Sequence, residues 1–148
     1  MKAIKSPPTR LLAIAALLAA LPAAAAPGVT DLGTLKNDNS GSSNATAANS
    51  DGSLVVGQTF NNLESRATIW LGSNWANKTD LGTLKADNSG GSEASALSGD
   101  GLVVGGSAHN DNGDYRGIIW SGSNWTTKTE LGTLKADNSG GVRTCPKS

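Results

Sequence analysis

The chain has 148 residues, with 12 Lys and Arg against 12 Asp and Glu. That balance argues against nucleic acid or an anionic membrane surface as the main partner, since both are held largely by excess cationic charge. Cys145 is the only cysteine, so no internal disulfide can form, and stability must come from packing.

Residues 1–25 read as a signal peptide. Lys2, Lys5 and Arg10 supply a positive start, and Leu11 to Leu21 is an almost pure Leu/Ala/Ile run. Pro22 stops that run before the small residues Ala23–Ala26, which places cleavage after Ala25. The run is shorter than the roughly 20 residues a membrane-crossing helix needs, so cleavage is preferred over anchoring. No later segment is apolar enough to cross as a helix, so no transmembrane segment is expected after cleavage, and the product is expected to be exported.

The remainder is organised by a repeat. Asp31-Leu32-Gly33-Thr34-Leu35-Lys36 returns as Asp80-Leu81-Gly82-Thr83-Leu84-Lys85 and as Glu130-Leu131-Gly132-Thr133-Leu134-Lys135. The spacings are 80 − 31 = 49 and 130 − 80 = 50 residues. Between these marks, Asp38-Asn39-Ser40-Gly41, Asp51-Gly52, Arg66-Ala67-Thr68-Ile69-Trp70 and Gly72-Ser73-Asn74-Trp75 all have counterparts near 50 residues on. The pattern divides the chain into a first repeat at 26–79, a second at 80–129, and an incomplete third at 130–148.

Each unit reads as four short strands, with no helical periodicity. The first strand holds Ala45 and Ala47, or Ala94 and Ala96, alternating with polar residues. Asp-Gly predicts a hairpin turn, because glycine tolerates positive φ. The apolar runs Leu54-Val55-Val56-Gly57 and Leu102-Val103-Val104-Gly105, matched to each other, read as second strands buried on both faces. A loop of unequal length follows, Phe60–Ser65 against Ala108–Tyr115, and the third strand ends at Trp70 or Trp120. Gly-Ser-Asn predicts a second tight turn, and Trp75 or Trp125 opens the fourth strand. Val29–Leu32 is expected to form a lone fourth strand. Four strands per ~50 residues is the cadence of a β-propeller blade. The predicted fold is therefore all-β: repeated four-stranded antiparallel units, two blades and an incomplete third, open and not closed.

After Gly141 the repeat pattern breaks into Val142-Arg143-Thr144-Cys145-Pro146-Lys147-Ser148. Read one base out of frame, the possible codons of 141–148 permit a continuation close to Gly91–Ser98. The expectation is a frameshift that shortened a longer repeat protein.

The repeat resembles the extracellular repeats of the HAF family. Leu32–Leu35, Asp51-Gly52 and Val55–Gly57 fit that pattern, as do Leu81–Leu84 and Asp100–Gly105. The name-giving His-Ala-Phe triplet is replaced by Arg66-Ala67-Thr68 and Arg116-Gly117-Ile118, with Trp70 and Trp120 holding the tryptophan that follows. This version is similar to repeats in autotransporter passengers. That resemblance implies a signal peptide, a repetitive passenger and a C-terminal outer-membrane barrel, and no barrel-like strands follow here.

Candidate sites are few. Asp111 and Asp114 cluster oxygen ligands of the kind calcium favours, but the first unit has Asn61-Asn62-Leu63-Glu64 there and the EF-hand spacing is not met. A polar loop is the preferred reading. Trp70 and Trp120 are read as packing residues, whereas Trp75 and Trp125, beside a turn, could instead stack on a ligand. His109 has no Ser, Asp or Glu partner repeated near it and is read as a solvated loop residue. The Asn-x-Thr sequons at Asn44, Asn77 and Asn124 are read as coincidence in a bacterial export context. Asp38-Asn39-Ser40-Gly41 and its copies are read as Asx-type turns. No catalytic pair, cofactor or metal is expected. The sequence therefore predicts a non-enzymatic secreted or cell-surface repeat, adhesin- or passenger-like, facing an unidentified extracellular ligand or surface and open to edge-to-edge self-association. The alternative is a small lectin-like or calcium-dependent binder using Trp75, Trp125, Asp111 and Asp114.

Overall fold

The computed structural model describes residues 28–136 and Asn138. The predicted signal segment, Cys145 and the aberrant tail lie outside the described residues. The described chain is all-β, in two four-stranded antiparallel meanders. The first sheet runs β1 (Ser43–Ala48), β2 (Leu54–Phe60), β3 (Ser65–Leu71) and β4 (Asn77–Asp80). The second runs β5 (Ser92–Leu97), β6 (Val104–His109), β7 (Tyr115–Ser121) and β8 (Thr127–Glu130). Each is ordered as in the chain, like a propeller blade, and the two do not close into a barrel.

The hairpin turns follow from local chemistry. Gly52 and Gly101 have φ of 72° and 76°, and their N–H groups donate to Asn49 O and Ser98 O. Asp51 and Asp100 accept the N–H of Ser53 and Leu102. Each hairpin thus has its own local polar closure.

The pairing corrects two sequence expectations. Val55 lies opposite Trp70 and Val104 opposite Trp120, so Val104 corresponds to Val55 and Gly105 to Val56. The Leu-Val-Val-Gly runs are therefore offset by one residue, and a one-residue slip in a strand exchanges its faces. The extra residue of the second unit sits later, in the loop at 110–114 against 61–64. The first run is covered on both faces, with Val56 and Gly57 buried, but the second is not: Leu102 and Val103 are exposed, while Val104 is buried. The other expectation concerns the start. Residues 29–32 form no strand; Asp31 turns the chain by accepting the Gly33 N–H at 2.8 Å, as Asp80 does at the end of β4.

Alternation along the strands builds the core. One face of the first sheet contributes Val56, Ala67 and Ile69, joined by Leu81 just after β4. Against it lies the face of the second sheet bearing Ala94, Val104, Ala108, Ile118 and Trp120. Trp70 and Trp120 are fully buried, in agreement with their reading as packing residues. Two polar pins cross the same contact. The Thr46 hydroxyl donates to Ala94 O at 2.7 Å, and the Ala67 N–H donates to Ser92 Oγ at 2.9 Å.

Thr46 sits at a β-bulge between Ala45 and Ala47, and the second unit has the same bulge between Ala94 and Ala96. The bulge presses the first strand onto a glycine opposite. A Cβ on Gly57 would lie 1.9 Å from Asn44 O, and one on Gly106 would lie 2.0 Å from Glu93 O. Both obstacles are backbone atoms, so neither side can yield cheaply. Gly57→Ala is expected to cost at least the ~1–3 kcal/mol typical of overpacking, as a lowered urea midpoint. An unchanged midpoint would show that the bulge relaxes.

Candidate functional site

The repeated Asp-Leu-Gly-Thr-Leu-Lys segment does not continue the fourth strand beyond its acidic first residue. It folds into a closed loop that links one sheet to the next. In the loop at 80–90, Gly82 N–H donates to Asp80 Oδ1, Thr83 N–H donates to Asn88 Oδ1, and the Thr83 hydroxyl donates to Ser89 O. Asn88 holds φ of 56°, a left-handed conformation that asparagine tolerates better than most residues. The loop at 31–41 repeats this scheme through Asp31, Thr34 and Asn39. Asn138 accepts the Thr133 N–H in the same manner. The Asx-turn reading holds at Asp38 and Asp87, which accept the N–H of Ser40 and Ser89. Those bonds hold both carboxyls below the usual carboxylate range. Asp51 and Asp100 are lowered too, chiefly by the hydroxyls of Ser53 and Ser98.

Two cations read the loop at 80–90 from opposite sides. From the first sheet, Arg66, 2 % exposed, places Nε against both carboxylate oxygens of Asp80 at 3.0–3.1 Å. Its terminal nitrogen donates to Asn88 O at 2.8 Å and Gly90 O at 2.7 Å. From the second sheet, Lys128 donates to Thr83 O at 2.8 Å and Asn88 Oδ1 at 3.1 Å. Lys78 makes the equivalent bonds to Thr34 O and Asn39 Oδ1. At Arg66 the third strand thus puts a buried cation onto the linking loop.

Trp75 and Trp125 do not open the fourth strands. Each ends a tight turn, Ser73–Trp75 or Ser123–Trp125, and the strands begin two residues later. Asn74, Trp75, Asn124 and Trp125 all have positive φ, between 52° and 60°. A left-handed tryptophan is strained by about 1–2 kcal/mol. The indole N–H of Trp75 donates to Gly52 O and that of Trp125 to Gly101 O, tying each turn to its Asp-Gly hairpin. Trp125 is half-buried and also packs against the core.

Beside Trp125 opens a cleft of about 370 Å³ between the two units. One wall is Thr79, Asp80 and the linking loop with Asn88, and the other is Asn124, Trp125 and Lys128. Burial, together with the nearby Arg66 charge, draws the Lys128 ammonium below the usual lysine range. Asp80 and Asn88 gave no sequence signal as site residues, since only the fold brings the end of one repeat against the turn of the next.

The other candidates fall elsewhere. Asp111 accepts the Ala86 N–H, and Asp114 pairs with Arg116 at 3.1 Å. Neither lines the cleft, and no group of three His, Cys, Asp or Glu suited to a metal occurs among the described residues. His109 is not a solvated loop residue. It ends β6, where Nδ1 accepts the Gly91 N–H at 2.9 Å and its ring lies 4.1 Å from that of Tyr115. No helix among the described residues is long and apolar enough to cross a membrane. No family model, curated protein or solved structure matches the chain.

Proposed function

We propose that this is a non-enzymatic secreted or cell-surface β-repeat protein, adhesin- or passenger-like, that presents stacked units to an external surface or ligand. The observation that carries the reading is the linking loop held by Arg66 and Lys128, which makes the units a continuous stack. Such a stack displays its intervening clefts along its length, as repeat proteins use their extended surfaces. The leading segment 1–25 supports export, and the resemblance to autotransporter passengers supports a role at the cell surface. The lectin-like alternative is favoured by the cleft at Trp125, in a version that does not draw on Asp111 or Asp114.

The test is to express the full chain in a Gram-negative host, fractionate the cells, and sequence the product's N-terminus. Expected is a mature protein beginning at Ala26 outside the cytoplasm, retained on immobilised cell-envelope polysaccharide or matrix protein with and without chelator. Cytoplasmic, uncleaved protein with no retention would overturn the proposal.

A further inference from the structure

The cleft at Trp125 joins features that are separately ordinary and together selective. Trp125 is locked by its indole N–H to Gly101 O, so its ring is a fixed wall of the cleft and not a mobile surface group. Its backbone sits at φ 55°, a strained geometry that the hairpin tie and core packing sustain. Across the cleft, Asn88 spends its side-chain oxygen on Thr83 N–H and Lys128, which leaves its amide nitrogen as a donor. The exposed Asn124 amide adds donors and an acceptor, and Asp80 offers carboxylate oxygens already oriented by Arg66 and Gly82 N–H. Of the charged groups that line the cleft, Asp80 is already paired with Arg66, which leaves the Lys128 ammonium as a lining cation with no salt bridge among the described residues.

An aromatic wall flanked by amide, hydroxyl and carboxylate groups suits a ring with an apolar face and hydroxyl edges, which describes a pyranose. A lining cation without a carboxylate partner favours a pyranose that carries one. We propose that the cleft between the two units binds an acidic sugar, its ring against Trp125 and its carboxylate at Lys128. This deepens the surface-binding reading and rests on it, by naming the chemical class of ligand.

The experiment follows the indole N–H signals of the full exported product by NMR, with its four tryptophans assigned by single Trp→Phe variants. The probes are tetragalacturonate, cellotetraose as a neutral counterpart, and sodium acetate as the bare carboxylate. Expected is a saturable shift at Trp125 with tetragalacturonate, while the buried Trp70 and Trp120 stay still. Cellotetraose binds more weakly. Lys128→Gln, which keeps a donor toward Thr83 O, weakens tetragalacturonate by about tenfold, the worth of one exposed charge-assisted hydrogen bond. Unchanged dispersion of the four indole signals shows that this variant folds. Three outcomes would overturn the proposal: no saturable shift at Trp125, equal affinity for the neutral and acidic oligomers, or an equal response to acetate alone. Retention on a surface without any shift at Trp125 would sink the acidic-sugar site and leave the surface-binding reading standing.

Discussion

Arg66→Ala is expected to lower stability by about 2–5 kcal/mol, chiefly the cost of leaving two poorly hydrated carbonyls without a donor, since Asp80 itself is exposed. The guanidinium is 2 % exposed and contacts Asp80, Asn88 O and Gly90 O. Its loss leaves two carbonyls in a site that water enters poorly, together with a carboxylate stripped of its counter-ion. Since domains are stable by only ~5–15 kcal/mol, the effect should appear as a large fall in urea midpoint at unchanged slope. Arg66→Lys should recover part of the loss, because a point charge cannot reach the carboxylate and both carbonyls in one plane. Lys78→Ala makes the contrast: that side chain is more exposed, and its removal should cost no more than about 1 kcal/mol. A loss below about 1 kcal/mol for Arg66→Ala would mean that desolvation of the guanidinium cancels its bonds.

The second large effect is at Trp120, fully buried between the sheets among Val104, Ala108 and Ile118. Trp120→Ala should cost about 3–5 kcal/mol in the same titration, by lost burial plus a cavity. Trp120→Phe should be much milder, for a reason specific to this site. The indole nitrogen of Trp120 is buried with no hydrogen-bond partner among the described residues, and so is that of Trp70. An unsatisfied buried donor costs about 1–3 kcal/mol, and phenylalanine removes that cost while giving up part of the ring volume. If Trp120→Phe proves as damaging as Trp120→Ala, the indole nitrogen is satisfied after all and the site requires the whole indole ring.

Much of the fold could be read from the chain because repetition and strand alternation are local signals. The Asp-Gly turns, the four strands per unit and the burial of Trp70 and Trp120 all follow from residue type and spacing. Three features could not be read so. The register of β6 was hidden because Leu-Val-Val-Gly matches itself at two offsets, and only pairing against Trp120 decides between them. Trp75 and Trp125 look like strand residues by propensity, yet their indole bonds to Gly52 O and Gly101 O hold them left-handed. His109 sits near a loop in sequence, but its partner Gly91 is 18 residues away. The cleft was half legible: Trp125 stood out by type, whereas Asp80 and Asn88 belong to turn motifs whose neighbours across the junction are more than 30 residues distant. Asp111 and Asp114 attracted notice by composition, and their bonds to Ala86 and Arg116 account for them as loop ties.

The two-sided hold on the linking loop also has an evolutionary consequence. The loop at 80–90 is read by Arg66 before it and Lys128 after it, a span of 128 − 66 = 62 residues, longer than the 49 to 50 of one repeat. No single copied segment therefore carries a whole junction. Duplication of one repeat inside an existing array still regenerates every contact, because each new copy brings an arginine for the loop it leads into and a lysine for the loop it follows. Unequal crossing-over can thus lengthen or shorten the array by whole repeats without inventing an interface. A deletion that is not a whole repeat separates the cations from their loops.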